Sequence, residues 1–94
     1  MWIGCLEIEV HIPGASSLKE KRMILKSIKD KLHNRYNISI AEVDALDKWQ
    51  RSVLGIVCVN RNKQLINSLL DNIVGLFNGL KQLYVVDYNL SFFK

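Results

Sequence analysis

Histidine and cysteine, which often serve in metal binding and nucleophilic catalysis, are scarce in this sequence. The 94 residues include two histidines, His11 and His33, and two cysteines, Cys5 and Cys58. No histidine–cysteine cluster has the spacing of a zinc site, and no pattern pairs a nucleophile with a base. We therefore expect a protein without catalysis, without a metal site and without a cofactor.

The two cysteines also lack the arrangement of a disulfide framework. Both lie inside strand-like runs, so the sequence predicts two reduced thiols in or near the core of a cytosolic protein. A disulfide between Cys5 and Cys58 would need neighbouring strands and an oxidising compartment.

Long apolar runs are missing as well. No run approaches the ~18 residues that a membrane-spanning helix needs, and no secretory signal is visible at the N-terminus. We expect a cytoplasmic protein that does not enter a membrane. Because a second core would need ~50 more residues, the chain is predicted to form one domain over residues 1–94.

Positive charge is present in excess, and it is concentrated in one stretch. The net charge is +4, and residues 17–36 hold seven lysines and arginines against two acidic residues. The remaining residues carry a slight negative excess. An anionic partner would therefore be attracted to the stretch 17–36.

Hydrophobic periodicity predicts four strands and two helices. Period-two alternation indicates strands at 2–12, 37–43, 51–60 and from residue 84 onward. Helical spacing indicates a first helix that begins at Ser17. A second helix is indicated from Asn60 or Asn62 to about Asn78. The order βαββαβ predicts an α+β ferredoxin-like sandwich, a four-stranded antiparallel sheet with two helices on one face. Inward parity predicts core positions for four aromatic residues, Trp2, Tyr84, Tyr88 and Phe92.

The first helix is predicted to carry a ridge of basic residues beside its apolar stripe. Their 3-4-3-4 spacing places on one face the residues Lys19, Arg22, Lys26, Lys29 and His33. Glu20 and Asp30 are expected to lie away from this ridge. Such a ridge can follow a phosphate backbone, although an ordinary solvated helix face is an open alternative.

The connection between the second and third strands concentrates acidic residues near Trp49 and Arg51. Glu42, Asp44 and Asp47 could hold Mg²⁺ or act as an acid/base pair, but a polar hairpin tip has the same composition and is the favoured interpretation. Trp49 is expected to fold back as a lid; the alternative is stacking on a base or a partner.

The open face of the predicted sheet is mixed in character. The first strand gives it Ile3, Cys5, Glu7, Glu9 and His11, and the third strand adds Val53 and Val57. An apolar centre of this kind suggests a partner sheet, so a homodimer through the open sheet face is a further expectation.

Two segments resemble the YlxP-like family of bacterial proteins of unknown function. The patterns P-G-x-x-S-L-K-x-K-R, N-x-S-x-A-E-V and D-x-W-Q-R are matched by Pro13, Gly14, Ser17, Leu18, Lys19, Lys21, Arg22, Ala41, Glu42, Val43, Asp47, Trp49, Gln50 and Arg51. The similarity covers residues 2–60 well and the last third in outline. The resemblance implies a ferredoxin-like fold, and a family gene neighbourhood among translation genes implies a ribosomal or RNA role.

The leading hypothesis is an RNA- or ribosome-associated binding module, with ribosomal RNA or a ribosomal subunit as partner. Its nucleic-acid-binding residues would be Lys19, Arg22, Lys26, Lys29, Arg51 and Trp49. The alternative is a non-catalytic, dimerising protein-interaction module with a merely solvated basic helix. A third hypothesis is an enzyme that uses Glu42, Asp44 or Asp47.

Overall fold

The computed structural model describes residues 1–94 as four strands and two helices. In chain order these are β1 (Trp2–His11), α1 (Leu18–Arg35), β2 (Ser39–Asp44), β3 (Arg51–Asn60), α2 (Lys63–Asn78) and β4 (Tyr84–Phe93). The observed order confirms the predicted ferredoxin-like α+β fold. Neither helix is long and apolar enough to cross a membrane.

The four strands form one antiparallel sheet in the order β2-β3-β1-β4. The central place of β3 agrees with its apolar residues on both faces. In the register of β1 and β3, Leu6 lies opposite Ile56 and Ile8 opposite Leu54, and all four side chains are buried. They belong to one hydrophobic cluster with residues of both helices, including Leu25, Ile28, Leu32, Ile66, Leu70, Ile73 and Phe77. Both helices therefore cover the same face.

The start of α1 is fixed by hydrogen bonds among its first residues. Ser17 Oγ accepts from the backbone N–H of Glu20 at 3.1 Å, which satisfies one free amide of the first turn. The Glu20 carboxylate accepts from the Ser16 N–H at 3.0 Å and from Ser16 Oγ at 2.8 Å. These two bonds lower the pKa of Glu20. The helix starts where its sequence predicts, and the Glu20 carboxylate bonds Ser16, one residue before the N-cap Ser17.

The second helix packs closely on β1. Its N-cap is Asn62, whose side chain accepts from two backbone amides, and it ends at the C-cap Gly79. A Cβ added at Gly4 would collide with Ile66 Cγ2. The missing side chain at Gly4 is therefore a condition for the close contact between α2 and β1.

The prediction that Tyr84 and Tyr88 are core residues is wrong. The pairing of β4 with β1 shifts by one residue, since Glu9 lies opposite Asp87 but Val10 lies opposite Val85. This bulge reverses the parity of Tyr84, which lies opposite His11. Tyr88 keeps its register opposite the buried Ile8, but it lies on the edge strand β4. Tyr84 and Tyr88 are 55% and 47% exposed.

The other two predicted core aromatics, Trp2 and Phe92, are half-buried and pack against the hydrophobic cluster. They lie away from the irregular part of β4.

Cys5 and Cys58 are on neighbouring strands but on opposite faces of the sheet. Cys5 lies opposite Val57, and Cys58 lies opposite Gly4, so the two thiols differ in parity. Both are free. Burial raises the pKa of the Cys58 thiol, which favours its neutral form.

Candidate nucleic-acid interface

The predicted basic ridge lies along one face of α1. Lys19, Arg22 and Lys26 are exposed, and Lys29 is half-buried beside the apolar stripe. Successive members are separated by three or four residues, which places them next to one another on the helix surface. We use "the ridge" below for these four residues.

Asp30 is closer to the ridge than expected. Lys26 Nζ lies 2.9 Å from Asp30 Oδ2, as an exposed pair one helical turn apart. Exposed pairs of this kind contribute ~0.3–0.5 kcal/mol, so a phosphate can replace the carboxylate at little cost. The other three ridge residues form no salt bridge.

Lys21 belongs to the same basic stretch but is buried, with 1% of its side chain exposed. Its Nζ donates to the carbonyl oxygens of Ala45, Leu46 and Arg51, at 2.8, 3.3 and 3.2 Å. The same nitrogen lies 2.8 Å from Glu42 Oε2. We call these contacts the Lys21 clip, because they join the first turns of α1 to the β2–β3 hairpin.

Glu42 is committed to the clip. Its Oε2 accepts from Ser52 Oγ at 2.7 Å in addition to pairing with Lys21. The negative charge of Glu42 is therefore balanced inside the protein. A carboxylate that is paired in this way does not suit Mg²⁺ binding or acid/base chemistry, the two roles considered for it from the sequence.

Sequence reasoning missed this pair, although a signal was present. Lys21 stands three residues after Leu18 and four before Leu25, where the apolar stripe of α1 requires an inward residue. Glu42 likewise continues the inward parity of Ile38 and Ile40. Two opposite charges on inward positions of neighbouring elements indicate a buried pair.

The tip of the β2–β3 hairpin is also fastened to the segment before α1. Gln50 Nε2 donates to the carbonyl oxygens of Pro13 and Ala15, both at 3.2 Å. The Ile12 N–H donates to the Gln50 carbonyl at 2.8 Å. The hairpin tip is thereby held beside the N-terminal end of α1.

Trp49, at this tip, is 54% exposed, so the expectation that it folds back as a lid is wrong. It lines a shallow surface hollow with His11, Lys48, Gln50 and Arg51. Its indole ring is accessible for stacking on a base or a partner.

Arg51 is not placed with the ridge. Arg51 Nε lies 2.7 Å from Glu9 Oε2 on the open face of the sheet. The hydrogen bond and the charge of Glu9 raise the pKa of the Arg51 guanidinium. Of the six predicted site residues, four lie on the ridge. Trp49 lies at the hairpin tip, and Arg51, which lines the same hollow as Trp49, pairs with Glu9.

The open sheet face around Arg51 is acidic. One polar hollow there is lined by Arg51 together with Glu7, Glu9, Asp44 and Asp87. No group of three or more histidine, cysteine, aspartate or glutamate side chains is assembled to hold a metal ion. The protein therefore carries cations on the outside of α1 and carboxylates on the opposite face of the sheet.

Removal of the clip is expected to be costly. Lys21→Ala leaves Glu42 and three carbonyl groups without their cation, so we expect a loss of about 3 kcal/mol in the free energy of unfolding. Urea denaturation measures it, and Lys19→Ala, on the exposed side of the same helix, should change the value by less than about 0.5 kcal/mol. Equal effects of the two substitutions would contradict the assignment.

Comparison with known proteins connects this arrangement to a family. Residues 3–90 match the family described as "Protein of unknown function (DUF503)". The chain is also 35% identical over 81 residues to the uncharacterized protein YlxP of Bacillus subtilis (strain 168), a match that covers 86% of this chain and 88% of that protein. The Lys21 clip and the ridge are thus features of a protein that belongs to the DUF503 family.

Proposed function

We propose that this protein is a small, cytoplasmic RNA-binding module that works without catalysis and associates with ribosomal RNA or a ribosomal subunit. The observation that carries the proposal is the separation of charge: the four ridge residues lie on α1, and the acidic residues Glu7, Glu9, Asp44 and Asp87 lie across the sheet. A polyanion would approach this molecule from the side of α1.

The dimensions of the ridge suit a nucleic-acid strand. From Lys19 to Lys29 the helix rises by about 15 Å, so successive cations are separated by about 5 Å along the axis. Three of them, Lys19, Arg22 and Lys29, form no internal salt bridge, and the exposed pair of Lys26 is weak. The ridge can therefore contact several phosphates of one strand without losing strong internal interactions.

The hairpin tip, held beside the start of α1, would add a stacking contact. Trp49 is accessible for stacking on an unpaired base, and Lys48 beside it is exposed. The contacts from Lys21 and Gln50 hold this tip against the start of α1. Arg51 pairs with Glu9, so we leave Arg51 out of the proposed interface.

The open sheet face does not suit RNA in the manner of an RNA recognition motif. Those domains stack bases on aromatic residues of the sheet and need basic residues beside them. Here the corresponding face has Glu7 and Glu9 on its central strand, which would repel phosphates.

A titration of ribosomal RNA across salt concentrations tests the proposal. Four phosphate contacts predict a slope of roughly −3 in the plot of log affinity against log salt concentration. We expect a variant with Lys19, Arg22, Lys26 and Lys29 changed to Glu to lose both the affinity and the slope. The matched control changes Arg61, Lys63, Lys81 and Lys94 to Glu, which alters net charge equally and should retain most of the binding. An affinity that does not change with salt concentration, or an equal loss of affinity in both variants, would contradict the proposal that the ridge binds RNA.

A second candidate function is a dimerising protein-interaction module. The end of the open sheet face away from the acidic hollow is apolar, and three of its residues, Val57, Val59 and Phe93, are 38%, 57% and 55% exposed. Apolar side chains grouped on a sheet can pack against a second copy of the same sheet. This candidate leaves the ridge solvated.

Sedimentation measures the oligomeric state that the second candidate requires. We expect a dimer at micromolar concentration that Val57→Glu converts to a monomer, because the charge would be buried between the sheets. Leu65→Glu, at a position that is 57% exposed on α2, is the control and should remain dimeric. A monomeric wild-type protein at that concentration would rule this candidate out.

A further inference from the structure

An apolar cavity opens between the C-terminal halves of the two helices. Its volume is about 290 Å³, and its apolar walls come from both helices and the following loop, from Ile28, Leu32, Leu76, Phe77 and Leu80. A volume near 300 Å³ is at the lower end of the range for small-molecule sites. One water molecule occupies about 30 Å³ in the liquid, so the cavity has room for about ten groups of that size.

The side chains at the mouth of this cavity carry one sign of charge. Lys31 and Arg35, one helical turn apart, line it together with the neutral Asn34, and no acidic residue does so. At the end of α1, the Leu32 carbonyl accepts from the Tyr36 N–H at 2.8 Å. The charged groups available to a ligand are therefore cations.

This site is distinct from the ridge. At ~100° per residue, Lys31 and Arg35 fall on one side of the apolar stripe of α1, and the ridge residues fall on the other. A ligand at the cavity would consequently not contact Lys19, Arg22, Lys26 or Lys29.

We propose that the cavity binds a small amphipathic carboxylate. A tail of about ten carbons would fill the apolar space, and the carboxylate would pair with Lys31 and Arg35 at the mouth. The apolar walls exclude a purely polar anion, and the two cations disfavour an amphiphile with a positive head. The partly enclosed shape and small volume suit a small molecule that inserts its tail.

Sodium decanoate is a suitable probe, and chemical shifts of the isotope-labelled full chain report its binding site. We expect saturable shifts for Arg35, Leu76 and Leu80, with affinity at least about tenfold higher than for decylammonium or butyrate. These two comparisons separate the contributions of the head group and the tail. Equal affinity for decanoate and decylammonium, no saturable shift up to about 1 mM, or shifts centred elsewhere would overturn the proposal.

Charge-reversal variants test the role of the two cations at the mouth. The double variant Lys31→Glu and Arg35→Glu should bind decanoate at least about tenfold more weakly. The matched variant Lys26→Glu and Lys29→Glu, on the other side of the stripe, should bind it as the wild type does. Lys26, Lys31 and Arg35 are exposed and Lys29 is half-buried, and none of the four belongs to the core, so both variants should fold. Equal affinity in the two variants would overturn the assignment of the carboxylate to Lys31 and Arg35.

Discussion

The structure depends on one buried cation. An ammonium group removed from water is unstable unless it is paired and fully hydrogen-bonded, and Lys21 meets this requirement through Glu42 and three backbone carbonyls. All of these partners belong to the β2–β3 hairpin or its tip. Because the charge must reach them, the hairpin has a defined position relative to α1, and so does Trp49 at its tip.

The charges of α1 consequently have different roles, although the sequence shows them as one basic stretch. Lys21 holds the fold together, the ridge faces solvent on one side of the apolar stripe, and Lys31 and Arg35 line a cavity on the other. The sheet face carries the opposing carboxylates, where Glu9 already neutralises Arg51. Each proposed partner therefore has its own surface: RNA on the ridge, a second copy on the apolar part of the sheet, and a carboxylate in the cavity.

Periodicity was sufficient to predict the element order and the cations on one face of α1, because these features follow from local spacing. Features set by long-range contacts were not predictable in this way. The bulge in β4 turns Tyr84 outward, and Tyr88 is exposed on the edge strand. Arg51 pairs with Glu9 on the other central strand. The position of Lys21 on the apolar stripe of α1 indicates burial, although lysine is a residue type that is usually exposed.

Hydrogen exchange in a Lys21→Met variant tests most directly whether the clip holds the hairpin tip to α1. Methionine keeps the length of the side chain but cannot bond the carbonyls. The Ile12 and Lys48 amides, which bond the carbonyls of Gln50 and Ala45 at 2.8 and 3.0 Å, should exchange at least about tenfold faster. The exchange rates of the amides that pair β1 with β4 should increase much less than those of Ile12 and Lys48. Unchanged protection of Ile12 and Lys48, or an equal loss across the whole sheet, would contradict the central role of the clip.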